Sequence, residues 1–142
     1  GIPTFAPEHF ARVRQVDTMK RKQFIKGINQ IAQEGAIQIF QEYNTGMEEI
    51  IVGVVGVLQF DVLKYRLENE YNVEIRLENL PYEYIRWIEN EEIDLDKLTG
   101  TSDMKKVKDL KGHPLLLFVN EWSIRMTIDR NDGLKLTEFG RS

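Results

Sequence analysis

Arg12, Arg14, Lys20, Arg21, Lys22 and Lys26 fall within fifteen residues of one another and are opposed there only by Asp17. Residues two apart on a strand share a face, so Arg12 and Arg14 would point the same way. Lys22 and Lys26, four apart, would stand one helical turn from each other. Such a set suits a phosphate backbone, which is held through charge and the release of counterions. The same residues also fit an ordinary solvated helix face. A second basic group, Lys105, Lys106, Lys108 and Lys111, is open to the same two readings.

Residues for bond-making chemistry do not assemble. The chain has no cysteine, which excludes disulfides, thiolate zinc sites and a thiol nucleophile. His9 and His113 lie far apart without an evident partner, whereas a metal site needs three or four converging ligands. Ser102, Ser123 and Ser142 have no G-x-S-x-G context. Glu89, Glu91, Glu92, Asp94 and Asp96 crowd one stretch. The next glycine is Gly100, outside the cluster, while a calcium loop needs one inside, so a solvated acidic face is expected. Gly53 and Gly56 are followed by Val57, Leu58 and Gln59 and not by the lysine of a phosphate loop. They predict a tight strand-to-helix turn, whose N–H groups leave room only for weak anion affinity. Neither a catalytic residue nor a metal is assigned to the chain.

With 142 residues, 42% of them hydrophobic and 30% charged, the chain is globular in composition and has room for one domain or two small ones. Its net charge of −4 is uneven. Residues 1–35 and 105–142 are each basic by three charges, and residues 36–104 are acidic by ten. A nucleic-acid binder that is basic throughout would not look like this. A protein that meets RNA or a ribosomal protein with one face and something else with another would. The longest apolar run, Ile50 to Leu58, is too short to cross a bilayer, so no membrane partner is expected. Without cysteine or a leader, the reading is cytoplasmic. An opening of Gly1, Ile2 and Pro3 reads as a cut inside a longer protein.

The elements that must position these residues follow from periodicity. Residues 4–16 predict an extended lead-in and a strand. Met19 to Glu34 predicts a helix, with Phe24, Ile28, Ile31 and Ala32 on one stripe and Gly35 as its stop. Ile37–Phe40 and Glu49–Val55 predict a hairpin around the turn residues Asn44 to Gly46. Leu58–Glu70 predicts a second helix that buries Phe60, Leu63 and Leu67, and Val73–Leu77 a fourth strand. Strand, helix, strand, strand, helix, strand is the split βαβ, ferredoxin-like order. The fold class expected is therefore α+β, in two layers. Residues 1–80 would form the ferredoxin-like unit, and residues 81–142 a smaller α/β unit packed on it, with Asn79 to Pro81 as the joint. In the second unit, Tyr84–Ile88 and Leu115–Val119 predict strands. A turn and a short helix are expected within Glu89–Asp96, and a short helix at Asp103–Leu110, capped by Ser102 or Asp103. Glu121–Asp129 predicts a helix with Trp122, Met126 and Ile128 facing together, although its alternation also allows a strand. Asn131 to Gly133 is a turn, and Leu134–Phe139 the last strand.

Several blocks carry a resemblance. Phe5-Ala6-Pro7-Glu8-His9-Phe10, Lys26-Gly27, Glu34-Gly35-Ala36, the run Val52 to Val62 (VGVVGVLQFDV) and Glu70-Tyr71-Asn72-Val73-Glu74 together resemble the bacterial peptide chain release factor 3 family of translational GTPases. The likeness is clear over residues 1–89 and thin beyond. The same region is more distantly similar to the third domain of elongation factor G. The resemblance implies a factor with a GTPase domain and a β-barrel domain ahead of this region. That factor would bind GTP and Mg²⁺ outside this chain and remove the stop-codon-reading release factor after peptide release. It also implies contact with the ribosome, through a small-subunit protein and rRNA, by a monomer. The basic residues Arg12, Arg14, Lys20, Arg21, Lys22 and Lys26 are the candidates for ribosome contact, and Gly56, Gln59 and Asp61 for contact with the GTPase domain. The competing reading is a ferredoxin-like regulatory domain that binds a small metabolite, which predicts a saturable ligand and a dimer; fold alone does not decide between them.

Overall fold

The alternation of Phe10, Ala11, Arg12, Val13 and Arg14 sets up the whole architecture, because successive strand residues serve opposite faces of a sheet. In the computed structural model, which describes residues 5–43 and 49–139, these residues lie on strand β1 (His9–Gln15). Ala11 and Val13 enter a core beneath two helices, and Phe10 enters a second core on the opposite face. The elements that follow are α1 (Arg21–Gln33), β2 (Gln38–Glu42), β3 (Glu49–Val54), α2 (Leu58–Glu70) and β4 (Ile75–Leu80). Their strands lie in the order β4-β1-β3-β2, each antiparallel to its neighbour. This is the expected ferredoxin-like arrangement, in an α+β fold. The expected turn at Asn44 to Gly46 lies outside the described residues.

Both helices pack closely on that sheet and on each other. Phe24, Ile28 and Ile31 of α1 meet Phe60, Leu63 and Leu67 of α2 over Ile50, Val52 and Val54. Gly27 is what lets the helices approach: a Cβ there would stand 2.8 Å from Leu67 Cδ2 and from Tyr71 Cγ. Gly35, at φ +89°, ends α1 in the left-handed region where glycine is unstrained. Gly27→Ala is expected to destabilise the domain. The strain of overpacking, about 1–3 kcal/mol, exceeds the roughly 1 kcal/mol that alanine gains in helix propensity. A lower urea midpoint with an unchanged m-value checks this.

The remaining strands are β5 (Tyr84–Ile88), β6 (Lys105–Asp109), β7 (Pro114–Phe118) and β8 (Leu136–Thr137), with α3 (Glu121–Arg130) between the last two. They extend the same sheet, in the order β2-β6-β7-β5-β8. Phe40 pairs with Asp109, and Glu42 with Val107, where β6 joins β2. The face of the first four strands that carries no helix is covered from this side. Phe10, Phe40 and Ile51 share a core with Ile85, Trp87, Val107, Leu115 and Leu117. The other face of the added strands packs Leu116, Phe118 and Ile88 against Ile124 of α3 and against Leu95, Leu98 and Leu134.

Several expectations for this half are corrected. Residues 105–109 form a strand and not a helix, because β2 and β7 offer hydrogen-bonding partners on both sides. The polar residues taken for a helix cap make a turn instead: Thr101 Oγ1 donates to Asp103 Oδ1 at 2.6 Å, and Met104 N–H to Thr101 O at 3.1 Å. The helix α3 forms as expected, with Asn120 accepting from Ser123 N–H at 2.9 Å. Its buried face, however, is Ser123, Ile124 and Thr127, and Trp122 is 53% exposed. The expected helix within 89–96 is only a 3-10 turn at Leu95–Lys97, capped by Asp94. The last strand shrinks to Leu136–Thr137, paired with Trp87 and Ile88.

Candidate functional site

Of the six basic residues singled out in the sequence, four lie on the helical side and two on the opposite face. Because Ala11 and Val13 point into the core beneath α1 and α2, Arg12 and Arg14 must point away from it. Arg12 is then committed to the interior seam. Its Nη2 donates to Glu42 Oε1 at 2.6 Å and its Nη1 to Glu78 Oε2 at 3.0 Å, with only 15% of the side chain exposed. Lys105 Nζ adds a contact of 3.6 Å to Glu42, which is itself buried. Arg14 is exposed, with its Nη2 3.8 Å from Glu78 Oε1.

Lys20, Arg21, Lys22 and Lys26 gather at the start of α1. Asp17 accepts the Met19 N–H at 2.9 Å and holds a 3-10 turn over Thr18–Lys20 that leads into the helix. Lys20 Nζ donates to the carbonyl of Asn72 at 3.0 Å, just past the end of α2. Asn72 itself sits at φ 57°, a left-handed conformation that asparagine tolerates. Arg21, Lys22 and Lys26 are exposed. The first turn of α1 contains no acidic residue, and Lys20 at the N-cap makes no side-chain capping hydrogen bond. Cations at the positive end of a helix oppose its dipole, at a cost of roughly 0.3–1 kcal/mol each. The 3-10 turn runs directly into α1, with Lys20 N–H on Asp17 O at 3.2 Å, so what the helix start presents outward is the side-chain charge of Arg21, Lys22 and Lys26.

Lys105, Lys106, Lys108 and Lys111 are not one patch. Along β6, Lys105 turns to Glu42, whereas Lys106 Nζ reaches the carbonyl of Leu95 and Lys108 lies 5.8 Å over the Tyr43 ring. His113, expected to lack a partner, has one: its Nδ1 is 3.2 Å from Asp109 Oδ2 across the β6–β7 turn. His9 is exposed at the start of β1. Ser123 Oγ donates to the capping Asn120 at 3.0 Å. Among the described residues no group of three or more His, Asp or Glu is placed to hold a metal ion.

The residues proposed for interdomain contact lie together at the β3–α2 turn. Gly56 and Asp61 are exposed, and Gln59 is half-buried with its N–H on Gly56 O at 3.1 Å. Sequence reasoning missed the apolar side chains around them. Val55, Val57, Leu58, Val62 and Tyr65 are all exposed. The signal was present: apolar residues at 58, 62 and 65 repeat at i, i+4 and i+7 beside the inward set at 60, 63 and 67. Gly53 has a separate role at this end of the sheet, since a Cβ there would stand 2.8 Å from the Pro7 ring. The two glycines of the run Val52 to Val62 thus do different work: Gly53 seats the lead-in, and Gly56 lies in the exposed turn.

Fold and surface define an α+β domain that carries a basic helix start and an apolar patch. The profile of the family described as "Class II release factor RF3, C-terminal domain" matches residues 1–128, and the chain belongs to that family. The match continues well past residue 89, where the sequence likeness had thinned, and takes in β5, β6, β7 and most of α3. A protein named peptide chain release factor 3 from Symbiobacterium thermophilum is 48% identical over 134 residues, 94% of this chain and 25% of the relative. Proteins of the same name from Lactobacillus acidophilus and Listeria welshimeri are each 44% identical over 138 residues, 97% of this chain and 26% of theirs. The chain thus spans about a quarter of the length of the curated relatives it matches. No described helix is long and apolar enough to cross a membrane.

Proposed function

We propose that this chain is the ribosome-contacting C-terminal domain of a translation-termination GTPase, one that promotes removal and recycling of the stop-codon-reading release factor. The observation that carries this reading is the start of α1. Arg21 and Lys22 occupy helix positions where cations weaken the helix, and Lys26 extends them by one turn. Exposed cations gathered at one helix start suit the phosphates of rRNA, with a small-subunit protein as a further neighbour. GTP and Mg²⁺ would be held by a preceding GTPase domain. The glycine turn of this chain has no lysine for a nucleotide phosphate, so hydrolysis is not its work. Its part is mechanical: a ligand moves an equilibrium only by its differential affinity for two states, and ribosome contacts here would favour the domain arrangement that GTP also favours.

The test is co-sedimentation of the chain with ribosomes across a salt series, beside a variant with Arg21→Ala, Lys22→Ala and Lys26→Ala. Each lost phosphate contact lowers the slope of log affinity against log salt by about 0.7–0.9, so the variant's slope is expected to be shallower by about two to three. Equal affinity and slope for both proteins would remove α1 as the contact. Arg12 is left unchanged, because its loss would disturb the fold as well.

A further inference from the structure

Helix α2 has two apolar faces. Phe60, Leu63 and Leu67 are buried against the sheet, and on the outer side Leu58 is 72%, Val62 45% and Tyr65 66% exposed. A surface helix of a free domain turns polar residues outward. Val55 and Val57 continue the apolar surface onto the β3–α2 turn. Of the eleven large apolar side chains exposed among the described residues, five lie between residues 55 and 65, so this is a patch and not scatter. Contiguous exposed apolar surface with polar neighbours marks a place where another molecule sits. Asp61, Lys64 and Glu68 supply exposed charges of both signs along the same helix.

The position of the patch argues for its occupant. The lead-in to β1 leaves the same end of the sheet: Glu8 N–H donates to Val54 O at 2.9 Å, and Pro7 lies over Gly53. A cleft of about 290 Å³ lined by Glu8, His9, Val57 and Phe60 joins the lead-in to the first turn of α2. The family is described as a C-terminal domain, and the relatives have about three quarters of their length outside the shared 25%. A preceding segment of the same polypeptide would therefore be tethered beside the patch. Tethering replaces a bimolecular association by a high effective concentration, so a modest apolar contact suffices to hold it.

We infer that the outer face of α2, formed by Val55, Val57, Leu58, Val62 and Tyr65, is the docking surface for the folded part of the same polypeptide that precedes this chain. This inference rests on family membership and not on the ribosome-contact reading. It moves the interdomain contact from the polar residues Gln59 and Asp61 to the apolar side chains around them.

The absence of cysteine from the chain permits a direct test. Leu58→Cys, Val62→Cys and Tyr65→Cys are introduced singly, with Arg125→Cys on the exposed side of α3 as the control. Alkylation by N-ethylmaleimide is followed peptide by peptide with mass spectrometry, in the 142-residue chain and in the full-length gene product that carries it. The three α2 sites are expected to react at least about tenfold more slowly in the full-length product, as they would in an interface open no more than a tenth of the time. The control should react alike in both. Equal rates at the α2 sites would overturn the inference. So would protection that grows with the concentration of the 142-residue chain alone, which would make the occupant a second copy. Protection of the full-length product only after ribosomes are added would overturn it in favour of a ribosomal partner. Loss of ribosome co-sedimentation would leave this readout untouched, so failure of one reading is distinguishable from failure of the other.

Discussion

Arg12→Ala is expected to lower the stability of the domain by about 3 kcal/mol, in the range found when one member of a buried ion pair is removed. Arg12 binds Glu42 at 2.6 Å and Glu78 at 3.0 Å, beside the junction of β2 with β6. Without it, Glu42 stays buried and keeps Lys105 at 3.6 Å, a longer contact that compensates only in part. The carboxylate at Glu78 is half exposed, and water can replace the lost donor there. The damage therefore concentrates at Glu42, and Arg12→Ala combined with Glu42→Gln should recover part of the loss. A double-mutant cycle read by urea denaturation measures the coupling. Strictly additive effects would mean that the pair contributes nothing beyond its separate members. By contrast, Arg14→Ala is expected to stay within about 0.5 kcal/mol of the parent, since exposed pairs contribute little. Two residues apart on the same face of β1, the two arginines have different physical roles.

Phe40→Ala should cost about 3–5 kcal/mol, as truncation of a fully buried aromatic does when the site cannot collapse. Phe40 is completely buried, and its ring lies 6.3 Å from that of Phe10. It belongs to β2, yet it packs with Trp87, Val107 and Leu115 from the later strands. Two optical probes make the consequence visible. Trp87 reports from this shared core, whereas far-UV circular dichroism is dominated by α1 and α2. A shared core predicts that both signals shift to lower urea together and remain coincident, as in a single cooperative transition. If Trp87 fluorescence moves and the helical signal does not, the two parts of the sheet unfold separately. Trp122, being exposed, reports little of the core, and a Trp122→Phe background leaves Trp87 as the tryptophan that is read.

Much of the first eighty residues was legible because the signals there are local. Phe24, Ile28 and Ile31 repeat at the helical period, Gly35 marks a left-handed stop, and the β1 residues alternate at period two. Each signal is written in neighbouring residues and needs no distant partner to be interpreted. The family blocks also acquire local physical reasons in the structure. Gly27 permits Leu67 and Tyr71 to pack against α1, and Gly53 permits Pro7 to seat the lead-in. The gathering of cations at the start of α1 was likewise visible in the charges of Arg21, Lys22 and Lys26.

The later residues were harder to interpret because their structure depends on partners far away in the chain. Lys105–Asp109 has one apolar residue, Val107, and nothing in its own pattern demands a strand; β2 and β7 decide it by pairing on either side. Trp122 had the composition of a core residue and stands in solvent, because the face that α3 buries is set by Leu116 and Phe118 beneath it. Charge could be counted in the sequence but not allotted. Arg12 was grouped with the α1 cations by proximity in the chain, and only the sheet showed that it faces the other way and meets Glu42, thirty residues on. The sequence by itself determined the periods, the stops and the family of this chain, which depend on neighbours a few residues apart. Tertiary structure alone decided which of its charges are bound inside and which stand exposed at the surface, because that depends on contacts between residues the chain holds far apart.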